Sequence, residues 1–387
     1  MLIVGGGHNG LTCACYLARA GYRVRVLERR AVVGGAAVTE EFAPGFRNSV
    51  AAYTVSLLHP AIVRDLNLAE HGLTIVERPV ANFLPLSDRD YLKIGATLAE
   101  TQAEVGRFSR QDAAALPSYY AMLERAGAVL REMLLETPPN AGGGLRDAWR
   151  ALVAGNRLRQ LPMSARRDLL EFMTRSAGDI LDGWFETDCI KALFGFDAVV
   201  GNFASPYSPG SGYVLLHHVI GEANGRRGQW GHAIGGMGAI TQAMAKEAQR
   251  RGVAIRTGAR VARVLVDGGR ASGVVLEDGS EHRARCVAAS VTPRRLYLEL
   301  VEEEHLDPEF TRRIRAFRCG SGTFRMNVAL SQLPRFTAAP PGEGDLHLKS
   351  GIILAPSLRY MEQAWFDARM HGWARSPVVE MLVPSTV

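Results

Sequence analysis

A chain of 387 residues, 47% of them hydrophobic and 22% charged, has the length for two or three lobes around a sizeable core and the make-up of a globular protein. Its net charge of +6 comes almost wholly from Arg interspersed with acidic residues and accompanies no recognition motif, which argues against a nucleic-acid partner. No apolar run reaches about eighteen residues, so no membrane-spanning helix is expected; five cysteines (Cys13, Cys15, Cys189, Cys286, Cys319) without a C-x-x-C pair argue against a disulfide framework, a zinc site or a dithiol centre and for a reducing setting, cytoplasmic or, in a eukaryote, mitochondrial.

Leu2-Ile3-Val4 reads as a short buried strand that runs straight into a glycine loop, Gly5 to Gly10, and not as a secretion signal. Leu11 to Ala20 follows as a helix stopped by Gly21. Arg23 to Glu28, with apolar Val24, Val26 and Leu27, reads as a second parallel strand. Gly5, Gly7 and Gly10 thus form G-x-G-x-x-G between a strand and a helix. The first glycine permits the tight turn, the second lets backbone approach a pyrophosphate, and the third lets helix pack closely on sheet. The helix N-terminus offers the phosphates free N–H groups and a positive dipole end. Glu28, eighteen residues past Gly10, ends the second strand, where a carboxylate accepts hydrogen bonds from an adenosine ribose. His8 and Asn9, inside the loop, are expected to touch the cofactor. Arg29-Arg30 and then Gly34-Gly35-Ala36-Ala37 follow directly, and this second glycine pair lets backbone approach another stretch of a long dinucleotide.

Helical patterns dominate from about 98 to 195, broken by the loop from Pro138 to Gly144. Residues 145–161 place Leu145, Trp149, Leu152 and Val153 on one helical face, with Arg146, Arg150, Arg157 and Arg159 largely elsewhere. We read this segment as a helix packed on a substrate lobe, with peripheral membrane contact as the alternative. A glycine-rich break, Gly225 to Gly238, leads into a helix over Ala239 to Arg250. Three strand candidates follow at about 253–266, 272–277 and 281–289, turned by Asp267-Gly268-Gly269 and Asp278-Gly279. His217, His218 and His232 are the histidines nearest these blocks, and His232, just ahead of Gly235-Gly236, reads as a hydrogen-bonded loop residue, with a position facing the cofactor as the alternative. No residue is assigned as a catalytic base. H-E-x-x-H and G-x-S-x-G are absent, and Gly210-Ser211-Gly212 reads as a turn, so neither a metal centre nor serine catalysis is expected.

The pattern from Ile3 to Gly35 resembles the extended dinucleotide motif of the FAD-dependent amine oxidase and phytoene desaturase superfamily. Gly235-Gly236-Met237-Gly238 with its helix, then VAIRTGARVARVLVDGGRASGVVLEDGS, resembles that superfamily's second block. GGAAVTEEFAPGF and QWGHAIGGMG are similar to the phytoene-dehydrogenase-like oxidoreductases, a group that takes in the pyridine nucleotide-disulphide oxidoreductase domain proteins. The resemblance covers most of residues 1–300 and fades afterwards. It implies FAD as the cofactor, held by Gly5, Gly7, His8, Asn9, Gly10, Glu28, Arg29, Gly34, Gly35 and Ala36, with a backbone group near Val261 at the adenine. It implies an α/β fold in which a Rossmann-like FAD-binding domain is assembled from residues 1–78 and 225–292. A mixed α+β substrate domain, residues 79–224 and 293–387, is inserted between and after them. The reaction implied is hydride transfer from an apolar or lipophilic small-molecule substrate to flavin; a flavin amine oxidase and a non-catalytic flavin-binding scaffold are the alternatives.

Three departures qualify what the resemblance implies. Many relatives carry Arg directly after the second glycine pair, where this chain has Ala36. Carotenoid desaturases have Asp-x-Gly-Pro after the Gly-Phe pair, whereas Gly45-Phe46 here leads into Arg47-Asn48-Ser49, which argues against phytoene itself as substrate. Relatives close the flavin site with a C-terminal glycine-rich segment that is not found before Val387, so a fragment lacking part of the site is expected.

Overall fold

The computed structural model describes residues 1–339 and 344–387, and the chain divides into two compact units. The first takes Met1–Val76, Gly231–Gly320 and Arg325–Ala329; the second takes Glu77–Trp230, Ser321–Phe324 and Leu330–Val387.

The first unit is α/β and centres on a four-stranded parallel sheet. β1 (Leu2–Val4) lies between β2 (Arg25–Leu27) and β4 (Val287–Ala289), and β3 (Ala254–Arg256) flanks β2. β1 takes a central position because all three of its residues are apolar and buried, as a strand covered on both faces requires. Alternation along the strand then separates two cores. Ile3 and Val26 meet Leu11, Ala14 and Cys15 of α1 (His8–Arg19) together with Ile240, Ala243 and Met244 of the helix Gly238–Arg250. Leu2, Val4 and Leu27 meet Val261, Val264, Val274 and Leu276 from an antiparallel sheet formed by Val261–Asp267, Arg270–Leu276 and Glu281–Arg283.

Several boundaries differ from the expectation. α1 begins at His8, so Gly10 sits in its first turn and not in the loop. The strand expected over 253–266 is two strands, because Gly258, at φ +62°, turns the chain out of the parallel sheet and into the antiparallel one. The strand expected over 281–289 also divides, and only Val287–Ala289 returns to pair with β1. Residues 293–320, expected in the substrate domain, belong to the first unit, since Leu296, Leu300 and Val301 pack on the core around Val261 and Val264. The unit also resumes at Gly231 and not at residue 225.

A buried carboxylate ties the helix Gly238–Arg250 to the chain around it. The Glu247 side chain has no solvent exposure; it accepts from Arg250 Nε at 2.7 Å and from Arg251 Nε at 2.6 Å, and His71 Nε2 lies 2.7 Å away. Hydrogen bonds from Arg250, then from His71 and Arg251, outweigh desolvation and hold its pKa at about 2, below the ordinary 4.5. A depressed carboxylate pKa adds stability above the unfolded-state value that is lost as pH falls towards the folded value. The expected contribution is about 3 kcal/mol at neutral pH, vanishing between about pH 4.5 and pH 2. Urea midpoints of wild type and Glu247→Gln measured across that range should converge on acidification; parallel curves would show that Glu247 is not the group responsible.

The second unit is helical from Leu98 to Val219, with a four-stranded sheet ordered Val379–Met381, Gly351–Leu354, Asn82–Pro85 and Tyr91–Lys93. Tyr119, on the long helix Arg110–Met133, is fully buried among Trp184, Phe185 and Phe194 at ring-centroid distances of 5.8, 5.0 and 5.1 Å. His217 and His218 lie on the helix Ser211–Val219 of this unit. No helix among the described residues is long and apolar enough to cross a membrane.

Candidate functional site

The site forms where β1 ends. Gly5, at φ +100°, donates its N–H to Leu27 O at 2.9 Å and turns the chain from β1 towards α1. A Cβ on Gly5 would stand 3.0 Å from Ser290 O. Gly7 is the N-cap of α1 and provides no side-chain cap, and the first helical bond runs from Leu11 N–H to Gly7 O. The N–H groups of the first turn therefore point into open space with the helix dipole behind them. Gly10 brings that turn against the loop: a Cβ there would lie 2.1 Å from Gly5 O.

The second glycine pair stacks on the first loop. Gly34, at φ +140°, donates to Gly6 O at 2.9 Å and forms a bridge with Gly7. Gly35, at φ +59°, passes so near that a Cβ would be 3.1 Å from Gly7 Cα. Both glycines are required by positive φ and by backbone lying on backbone.

Glu28 is buried and joins these segments. Its Oε2 accepts from Gly6 N–H at 2.7 Å and its Oε1 from Arg30 N–H at 2.9 Å. A carboxylate has about four acceptor positions, so each oxygen retains capacity for one further donor. Arg30 is ion-paired with Glu40. Partial desolvation holds the His8 imidazole below its ordinary pKa, which leaves a neutral ring at the loop near neutral pH. Desolvation pushes the Cys13 thiol up, with Cys286 adding to the effect, so it is no thiolate nucleophile.

These elements enclose a cleft of about 840 Å³ within the first unit. Gly5, Gly7, His8, Asn9, Gly10, Glu28, Arg29, Gly35, Ala36 and Val261 all line it; Gly34 does not, and acts from behind through Gly6 and Gly7. Of the four arginines along its walls, Arg30, Arg260 and Arg295 pair with Glu40, Glu277 and Glu299, and Arg29, with no ion pair among the described residues, is the one left to face a diphosphate. Sequence reasoning missed Ser290, Thr292 and Arg295, which follow the C-terminal end of β4. The signal available was the rule that ligands sit at the carboxyl ends of parallel strands, applied to Val287–Ala289 as a strand of its own.

The second glycine block and its neighbouring histidine lie apart from this cleft. The glycines at 235–238 do not line the cleft; they pack on the hairpin of Thr39–Ala43 and Phe46–Ser49. Met237 N–H donates to Ser49 Oγ and Gly238 N–H to Thr39 Oγ1, each at 2.9 Å, and a Cβ on Gly236 would be 2.5 Å from Thr39 Oγ1. His232, buried on the strand Gly231–Ala233, is likewise not a lining residue.

A family model described as flavin containing amine oxidoreductase matches residues 10–324. The chain is 38% identical over 408 residues to pyridine nucleotide-disulfide oxidoreductase domain-containing protein 2 of Rattus norvegicus, covering 100% of this chain and 70% of that protein. It is 31% identical over 295 residues to hydroxyneurosporene desaturase of Cereibacter sphaeroides, covering 72% of this chain and 53% of that enzyme. Among solved structures, a triple variant of putrescine oxidase superposes with a TM-score of 0.52 at 18% identity, over 81% of this chain and 62% of the oxidase, a likeness of fold.

Proposed function

The chain belongs to the flavin containing amine oxidoreductase family, with FAD as its cofactor, and we propose that the cleft beside Gly5–Gly10 holds the ADP half of that FAD in a protein that dehydrogenates an apolar organic substrate. The observation that carries the reading is the cradle itself. Gly7 and Gly35 leave bare backbone where side chains would fill the space, and it opens onto the uncapped first turn of α1. Bound FAD supplies the hydride acceptor. The N–H groups of α1 would receive the diphosphate, with Arg29 adding positive charge at the wall. Glu28 would orient the ribose with the acceptor capacity left on its two oxygens. Buried Val261 would offer its backbone to the adenine end.

The apolar substrate class rests on a relative named for hydroxyneurosporene. Free thiols at Cys13, Cys15, Cys189, Cys286 and Cys319 support a reducing compartment such as the cytoplasm. The test is the absorbance spectrum of the purified chain, followed by anaerobic addition of candidate substrates. Flavin bands that survive gel filtration and bleach with an isoprenoid hydrocarbon are the expected result. A colourless protein after incubation with excess FAD would overturn the assignment of the cleft. Bleaching by a primary amine, with peroxide released on admitting oxygen, would overturn the substrate class.

A further inference from the structure

The helix Leu145–Gln160 of the second unit has no buried residue along its sixteen positions. Leu145, Trp149 and Leu152 are 92%, 65% and 64% exposed. At about 100° per residue they fall on one face. A helix of this length is marginal in water without tertiary support, and this one also has glycine at its N-cap and at Gly155 in its interior. Its apolar face is therefore built to be covered by something else.

Charge decides what covers it. Residues 145–167 hold six arginines, Arg146, Arg150, Arg157, Arg159, Arg166 and Arg167, against one acid, Asp147. Arg150 pairs with Asp147 and Arg157 with Glu136; Arg146, Arg159, Arg166 and Arg167 form no ion pair among the described residues. A second copy of the chain would bring the same cations face to face across a symmetric contact. A sheet of phosphate headgroups would instead meet them with opposite charge, while Trp and Leu enter the acyl boundary.

We propose that Leu145–Gln160 is a docking helix for an anionic lipid bilayer, with Leu145, Trp149 and Leu152 inserted and the arginines on the headgroup phosphates. The helix lies in the membrane plane and does not span it. The inference is independent of the flavin site.

The experiment is co-sedimentation of the full chain with vesicles of equimolar phosphatidylglycerol and phosphatidylcholine, and with vesicles of phosphatidylcholine alone, at low and high salt. The expected result is binding to the anionic vesicles that weakens with salt. It should fall about tenfold or more in the double variant Trp149→Glu/Leu152→Glu and in Arg146→Gln/Arg159→Gln. Both variants should melt with wild type, since neither alters a buried residue. Absence of binding to anionic vesicles beyond that seen with phosphatidylcholine, or equal binding by the Glu variant, overturns the proposal. So does a wild-type dimer in sedimentation velocity that the Glu variant dissolves, which would place a second copy on this face.

Discussion

Gly10→Ala is expected to lose flavin on gel filtration and to melt below the wild type. A methyl group at this position would stand 2.1 Å from Gly5 O and 3.3 Å from the Ser290 side chain. Carbon and oxygen do not approach to that distance, and the obstructing atom belongs to the backbone, so no rotamer change relieves the contact. Either α1 must lift from the sheet or the Gly5 turn must open. Overpacking of a well-filled interior costs about 1–3 kcal/mol and sometimes more. The same displacement moves the N–H groups of the first turn away from the diphosphate, so FAD affinity should fall at least about tenfold, the equivalent of 1.4 kcal/mol. Alanine ordinarily stabilises a helix relative to glycine by about 0.5–1 kcal/mol, which makes the sign diagnostic. Gly183, on the helix Ala177–Trp184, is the matched control: a methyl group there would meet nothing within 4 Å, and Gly183→Ala is expected to be neutral or stabilising. If Gly10→Ala keeps its flavin and its melting temperature, the close approach of α1 to Gly5 is not what the glycine provides.

Glu28→Ala is expected to destabilise the protein even before cofactor is added. The carboxylate accepts the N–H groups of Gly6 and Arg30 at 2.7 and 2.9 Å in a buried setting. Removing it leaves the buried Gly6 donor without a partner, at about 1–3 kcal/mol, while the part-buried Arg30 donor can turn to water in the cleft. Glu28→Gln should fare little better, because an amide offers one acceptor oxygen and turns an NH2 group towards the second donor. The informative measurement is the melting temperature of the cofactor-free forms beside their FAD affinities. Loss of both identifies Glu28 as the clasp of the loop as well as a ribose ligand. Unchanged stability of the cofactor-free Ala variant, with only FAD affinity reduced, would show that the two backbone contacts contribute nothing.

The part of the site encoded within one short stretch was legible in the sequence. Strand, Gly5–Gly10, helix and Glu28 lie within 28 residues, and the residue types state their reasons locally: positive φ, close approach and an acceptor at a strand end. Contacts between distant segments were not legible. Nothing in Val287 to Ser290 announces that it will run beside β1, and without that pairing Ser290 and Arg295 look like ordinary loop residues. The glycines at 235–238 are a further case of contacts that the sequence does not announce. Glycine marks a place where something approaches closely but does not say what, and here Thr39 and Ser49 do so. Gly258 reads as part of one strand because apolar alternation continues on both sides of it; only its positive φ divides the run between two sheets.

The divided course of the parallel sheet has a consequence during synthesis. β1 and β2 leave the ribosome early, but their outer neighbours, β3 and β4, begin at residues 254 and 287. At roughly 5–20 residues per second, the first two strands wait on the order of tens of seconds with both outer edges unpaired. The helical stretch from Leu98 to Val219 emerges whole in that interval. The nascent chain is therefore expected to present the Leu2–Val4 strand to chaperones until Val287–Ala289 has emerged, well after the helices between Leu98 and Val219.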